Sequence, residues 1–207
     1  MAIYEKQYGI RREFQNIVRV LIVLLCLGLT ATIAAQDEDY SEEDSGYDAG
    51  NVGFQSDFLK VFDTAADKIN GLAAAVPAEK YDWRPAEGVR SVKESLMHIA
   101  GASYFFASRL GSAMPEGMNP RELEKTVKTK EEAQKVLKQS FEHVRAAVEG
   151  VAADDLDTEI TIFGSMNGSK RTVVLIVGDH MAEHLGQMIA YARMNGITPP
   201  WSQSQGE

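Results

Sequence analysis

From Phe54 onward, apolar residues recur at alternating steps of four and three: Phe58, Phe62, Ala65, Ile69, Leu72 and Val76. That spacing draws a single stripe on a helix, and Pro77 ends it. A second stripe, Val92, Leu96, Ile99, Ser103, Phe106 and Leu110, follows a Ser91-Val-Lys-Glu94 run in which Glu94 can answer the Ser91 hydroxyl as a capping box. Gly111 closes it. The same device at Thr129 (Thr-Lys-Glu-Glu) opens a third helix carrying Leu137, Phe141, Val144, Val148 and Val151. A fourth is predicted over 172–195, stopped by Gly196 and Pro199. Between the third and fourth, Glu159-Ile-Thr-Ile-Phe163 and the Asn167-Gly168 pair predict a short hairpin or ordered loop, too small to stand as a sheet of its own. Four amphipathic helices with one stripe each have an economical solution, which is to bury the stripes together as an all-α four-helix bundle.

Upstream the pattern is different. Residues 1–35 read as a signal peptide, with Lys6, Arg11, Arg12 and Arg19 leading into the apolar and small residues of 20–35. That run of 16 residues is shorter than the ~20 a spanning helix needs, and Thr32 and Ala34 supply small residues for cleavage. A secreted or periplasmic protein with no membrane attachment after cleavage is the expectation, favoured over an uncleaved anchor. Cys26, the only cysteine, follows Leu25 where lipoprotein processing wants a small residue, so it is not read as a lipid anchor. A mature chain without thiols has neither disulfides nor a cysteine nucleophile. Residues 36–53 lack apolar periodicity and are rich in acids, Ser and Gly, as expected of a solvated linker.

Locating the net charge changes how it is understood. Of the total of −9, residues 1–35 contribute +2 and residues 36–50 contribute −7, so the predicted domain over 54–203 is only mildly acidic. It has no basic stripe to neutralise a row of phosphates, and nucleic acid is excluded as a partner. With 44% hydrophobic residues in 207, the chain can build one core.

The chemistry concentrates in the fourth helix, which contains Asp179-His180-Met-Ala-Glu183-His184-Leu-Gly-Gln187. At about 100° per residue, His184 lies about 40° from His180, and Val173 and Tyr191 lie about 20° away. Both histidines are thus expected in the middle of the buried stripe. Residues four apart bring their Cβ atoms to about 5–6 Å, close enough for two imidazoles to share a cation. A third ligand has to come from a neighbouring helix, and His98 flanks the second stripe. His143 falls one step off the third stripe and reads as a boundary residue. Composition and spacing leave two outcomes open for the pair: metal ligands, or hydrogen-bonded core histidines. Gln187 has two as well, hydrogen-bonding bound water or substrate at the site, or satisfying a core histidine or a loop carbonyl. Glu183, about −60° from His180, is the candidate base. Trp83 and Tyr104 are expected to pack, and the methionines to fill core.

The run through Trp83, Pro85, Gly88, Ser91 and Val92 to His98-Ile99 resembles the loop-to-second-helix segment of the DinB-like superfamily. The His180-x-x-x-His184-x-Gly186-Gln187 stretch, Tyr191-Ala-Arg193 and the closing Pro199-Pro-Trp-Ser202 are similar to that family's last helix and tail. The resemblance covers roughly residues 54–203 and implies an up-and-down-type bundle. It also implies a divalent ion, zinc or nickel, on His98, His180 and His184. Three neutral nitrogens leave a tetrahedral ion one open position, the pattern of a catalytic site. His180-Met-Ala-Glu183-His184 also matches H-x-x-E-H, the inverted zincin signature. Those enzymes are much larger and take a carboxylate as third ligand, so the bundle family fits better.

Characterised members of that family include metal-dependent transferases and isomerases using a low-molecular-weight thiol, and some related hydrolases. The resemblance therefore implies a metal-dependent hydrolase or thiol-dependent transferase acting on a small molecule, possible as a homodimer. Export weighs against the thiol version, because such cofactors are kept in the reduced cytoplasm. The alternative is a non-catalytic binding or stress-associated bundle that uses the metal for structure alone.

Overall fold

The computed structural model describes residues 53–205. The expected signal peptide, Cys26 and nearly all of the expected acidic linker lie outside them. Among the described residues, no helix is long and apolar enough to cross a membrane.

Helix α1 (Phe54–Ala75) runs until Val76 turns extended ahead of Pro77. Helix α2 (Val92–Arg109) opens on the expected capping box. The Ser91 hydroxyl accepts from the Glu94 amide at 3.2 Å, and the Glu94 carboxylate accepts from the Ser91 amide at 2.8 Å. A 3-10 turn (Pro120–Glu122) leads into the short α3 (Leu123–Thr126), an element the apolar pattern does not announce. Helix α4 (Lys130–Glu149) has its Thr129/Glu132 capping box. Helix α5 (Lys170–Met194) begins two residues earlier than predicted, because Ser169 and Thr172 form a third capping box. Gly111 and Gly196 end the second and last helical segments with positive φ (100° and 72°), backbone that L side chains resist.

The expected stripes form the core. Phe62, Ile69, Leu72, Leu96, Ile99, Leu137, Val144 and Val148 are buried, and α5 contributes Val173, Val177, Met181 and Met188. Around that core α2 packs on α4 and α5, and α1 packs on the same two helices. Consecutive helices α1 and α2 therefore lie across a diagonal, as do α4 and α5. This differs from the sequential neighbours of a simple up-and-down bundle, whose loops are short. Here the connecting segments 76–91 and 150–169 are long enough to cross the bundle.

The hairpin before α5 is formed by β1 (Glu159–Phe163) and β2 (Met166–Ser169), paired antiparallel with an irregularity between Thr161 and Phe163. Its turn is at Gly164 (φ 55°), not at Asn167-Gly168, which sits inside β2. The reason for Gly168 is space rather than turn geometry. A Cβ there would stand 3.0 Å from Ile162 Cδ1 and 3.2 Å from the Thr172 side chain, and Ile162 is the fully buried residue that plugs the hairpin into the core.

Candidate metal centre

Three histidines meet where α2 faces α5. The ligand atoms of His98, His180 and His184 all lie within 4.8 Å of one another, and the ring centroids are 4.3 Å (His180–His184), 4.9 Å (His98–His184) and 5.2 Å (His98–His180) apart. His98 Nε2 and His180 Nε2 face each other at 3.3 Å. Two nitrogens bound at ~2.0–2.1 Å to one tetrahedral ion stand roughly 3.3–3.4 Å apart, so this spacing already fits a shared cation. Burial holds both rings neutral, with the lone pairs that ligation needs. His98 is pushed down to about 4, chiefly by desolvation and then by Arg90 and His184. His180 is pushed down to about 3, again chiefly by desolvation, with His184, His98 and Arg90 adding to it. The three side chains could hold a metal ion.

The position of the pair on α5 differs in part from expectation. The buried face is centred on Val177, Met181, His184 and Met188, so His184 is buried while His180 sits at the edge of that face, half-buried. The apolar side chains at 177, 181 and 188 draw the face round by about 70° from His180 at 100° per residue. This leaves one ligand in the core and one toward the opening.

A hydrogen-bond chain of fixed direction backs His184. The Arg90 carbonyl can only accept, so the Tyr191 hydroxyl donates to it (3.1 Å). Tyr191 in turn accepts from Gln187 Nε2 (3.1 Å), which leaves Gln187 Oε1 facing His184 Nδ1 at 2.7 Å. Nδ1 must therefore carry the proton, and Nε2 is the bare nitrogen. Gln187 thus satisfies the buried His184 through its side-chain oxygen. Trp83 packs edge-on against Tyr191, with centroids 5.5 Å apart and planes at 82°. Its loop is pinned to the start of α2 by Val92 N–H to the Trp83 carbonyl (3.0 Å) and Lys93 N–H to the Tyr81 carbonyl (2.9 Å).

Arg90 supports a second histidine. Its Nε donates to Glu124 Oε1 at 3.1 Å, and the same oxygen lies 3.7 Å from His98 Nδ1. That is beyond hydrogen-bond reach, yet it puts a carboxylate on the side of His98 away from Nε2. One loop residue thus supplies a carbonyl behind His184 and a guanidinium behind the carboxylate that faces His98. Neither Glu124 nor Arg90 stands out in the sequence, because α3 carries no stripe. The one available signal was that Arg90 stands within the Trp83-to-Val92 run that carries the family resemblance.

Glu183 is exposed and belongs neither to the histidine group nor to the cleft beside it. His143 is a boundary residue, as expected. It contacts Ser112 Oγ at 3.2 Å and lies tilted against Tyr104, with ring centroids 5.2 Å apart, outside the cluster of three histidines. Beside the cluster lies an open cleft of 720 Å³ that reaches it through His98 and Glu124.

A bundle of this order with three histidines between α2 and the last helix defines a recognisable class. The DinB superfamily profile matches residues 62–188, and the chain belongs to that superfamily. The curated protein YjoA of Bacillus subtilis (strain 168), described as uncharacterized, is 27% identical over 134 residues, covering 62% of this chain and 82% of the relative. Among solved structures, the DinB-like YjoA of B. subtilis superposes with a TM-score of 0.56 at 23% identity, covering 69% of this chain and 93% of that one. A DinB-like protein from Bacillus cereus ATCC 10987 gives 0.60 at 18% identity, covering 69% and 93%. A conserved protein from Enterococcus faecalis gives 0.57 at 16%, covering 69% and 96%. These likenesses establish the fold. Family membership favours the bundle over the inverted zincin interpretation of the same helix.

Proposed function

We propose that this chain is an exported, metal-dependent DinB-like protein that holds one divalent ion, zinc or nickel, on His98, His180 and His184 and acts on a small molecule. The observation that carries it is the convergence of three imidazoles from two helices, with the His98 and His180 Nε2 atoms 3.3 Å apart. When bound, such an ion supplies Lewis acidity at an open coordination position. The protein's own part is to keep His98 and His180 neutral by burial, to orient His184 through Gln187 and Tyr191, and to admit a ligand past His98. The cleft supports a catalytic role over a purely structural one, since a closed structural site needs no 720 Å³ approach. Hydrolysis and thiol-dependent transfer both fit an open position. Glu183 has no part in this chemistry as proposed, because it is exposed and outside the cleft. Export rests on the basic and apolar pattern of residues 1–35.

The test is the ion content of the purified chain by mass spectrometry. About one zinc or nickel per chain is expected, lost in His98→Ala, His180→Ala and His184→Ala while the helical circular dichroism remains. A wild-type chain that stays metal-free after incubation with either ion and dialysis refutes the assignment.

A further inference from the structure

The cleft beside the histidines has two unlike walls. One is apolar, formed by Ala102 and Phe105 of α2 with Met114 beyond its end. The other is polar, formed by Asn119, Arg121 and Glu124 of the 3-10 turn and α3. The charges on the polar wall do not cancel. Glu124 is engaged by Arg90 at 3.1 Å, whereas among the described residues no carboxylate pairs with Arg121. The Asn119 side-chain oxygen accepts from the Arg121 backbone amide at 3.2 Å, so what this wall has left to meet a ligand is the Asn119 NH2 and, as its one charge without a carboxylate partner among the described residues, the Arg121 guanidinium. Its planar fork suits a carboxylate.

The seam between the walls is built closely. Gly101 also lines the cleft, and a Cβ at that position would stand 2.7 Å from the Pro120 carbonyl oxygen. The polar wall therefore rests directly on the α2 backbone at Pro120, which fixes the backbone from which the adjacent Arg121 lines the cleft. A volume of 720 Å³ accommodates a metabolite-sized molecule, and His98 lines the same space.

We infer that the cleft takes a small amphipathic carboxylate, its apolar body against Ala102, Phe105 and Met114 and its anionic group on Arg121, with the opposite part of the molecule toward His98. This rests on the metal assignment proposed above. It narrows the substrate class to molecules whose reacting group is separated from a carboxylate by an apolar segment.

The test uses the zinc-loaded full chain, with zinc content measured on every sample. Binding of 4-phenylbutyrate, 4-phenylbutanamide and acetate is compared by calorimetry in wild type and in Arg121→Gln, a change at an exposed position that leaves the core untouched. The acid is expected to bind wild type roughly tenfold to hundredfold more tightly than its amide, the range for a charge-assisted hydrogen bond. That preference should largely vanish in Arg121→Gln with zinc retained, and acetate should bind far more weakly than 4-phenylbutyrate. Equal binding of acid and amide, a preference undiminished in Arg121→Gln, or acetate binding as well as 4-phenylbutyrate overturns the inference while leaving the metal assignment standing. A wild-type chain that takes up neither zinc nor nickel overturns the metal assignment itself, and the two failures are distinguished by the metal measurement.

Discussion

Replacing Gln187 with Met tests whether the chain running from the Arg90 carbonyl through Tyr191 and Gln187 sets the tautomer of His184. Methionine keeps the length of the side chain and its helix propensity but removes the acceptor 2.7 Å from His184 Nδ1. His184 is only 8% exposed, so little water can replace that acceptor. A buried N–H left without a partner costs about 1–3 kcal/mol, which for a domain of this size lowers Tm by roughly 2–4 °C per kcal/mol. The larger consequence is in affinity. Without Oε1 the ring is free to carry its proton on Nε2, where it blocks ligation, and loss of a group behind a ligating histidine typically weakens metal binding about 10–100-fold. Zinc competition against a chromophoric chelator measures this directly.

Two companion variants separate hydrogen bonding from packing. Gln187→Glu retains an acceptor and should bind zinc at least as well as wild type. Tyr191→Phe removes the hydroxyl that receives the Gln187 amide proton at 3.1 Å. The amide can then turn its NH2 toward His184, and an intermediate loss of affinity is expected. Should Gln187→Met bind zinc within about threefold of wild type, less than 1 kcal/mol, the chain does not govern the tautomer and the argument fails.

The metal-free protein should lose stability in acid through the same histidines. The folded values of His98 and His180, about 4 and about 3, lie below the ordinary value of 6.5, so between these limits the unfolded chain binds more protons. The associated stability is complete above pH about 6.5 and is lost as pH falls through about 4. Urea unfolding of the apo chain at pH 7 and pH 4.5 measures the loss, and an unchanged difference in His98→Asn plus His180→Asn would assign it elsewhere. Gly101→Ala places a methyl 2.7 Å from the Pro120 carbonyl oxygen, a backbone atom with no flexible end to yield. Thermal denaturation should show a loss of about 1–3 kcal/mol, as for overpacking, and a wild-type Tm would mean that the 120–124 segment does not rest on α2 as described.

How far the sequence reveals this molecule depends on the physical range of each signal. Helical periodicity is a property of neighbours three and four apart, so the stripes of the first three long helices, two of the capping boxes and the stops at Pro77, Gly111 and Gly196 could be read directly, whereas on α5 the two histidines drew the expected face away from its buried centre. The His180/His184 pair was visible for the same reason, since one helical turn brings those rings together whatever else the chain does. His98 was less so, because a lone histidine beside a stripe carries no geometric information until another helix is placed against it; there the resemblance did what periodicity could not. The hairpin turn was misplaced because Asn-Gly is a local preference, and at Gly168 a tertiary demand, the close approach of Ile162 and Thr172, accounts for the glycine instead.

The groups that tune the site were the least legible, and for a common reason. Arg90, Glu124 and Arg121 stand in a loop, a four-residue helix and a 3-10 turn, where no periodicity says which way a side chain points. Their roles come from contacts spanning large sequence separations, 34 residues between Arg90 and Glu124 and 101 between Arg90 and Tyr191. In a bundle the helices bring the ligands together, but the segments joining them decide which nitrogen is bare, which carboxylate is occupied and which guanidinium is left for a ligand. Relatives with the same three histidines and different residues at positions equivalent to Arg90 and Arg121 should therefore keep the ion while differing in what they bind beside it.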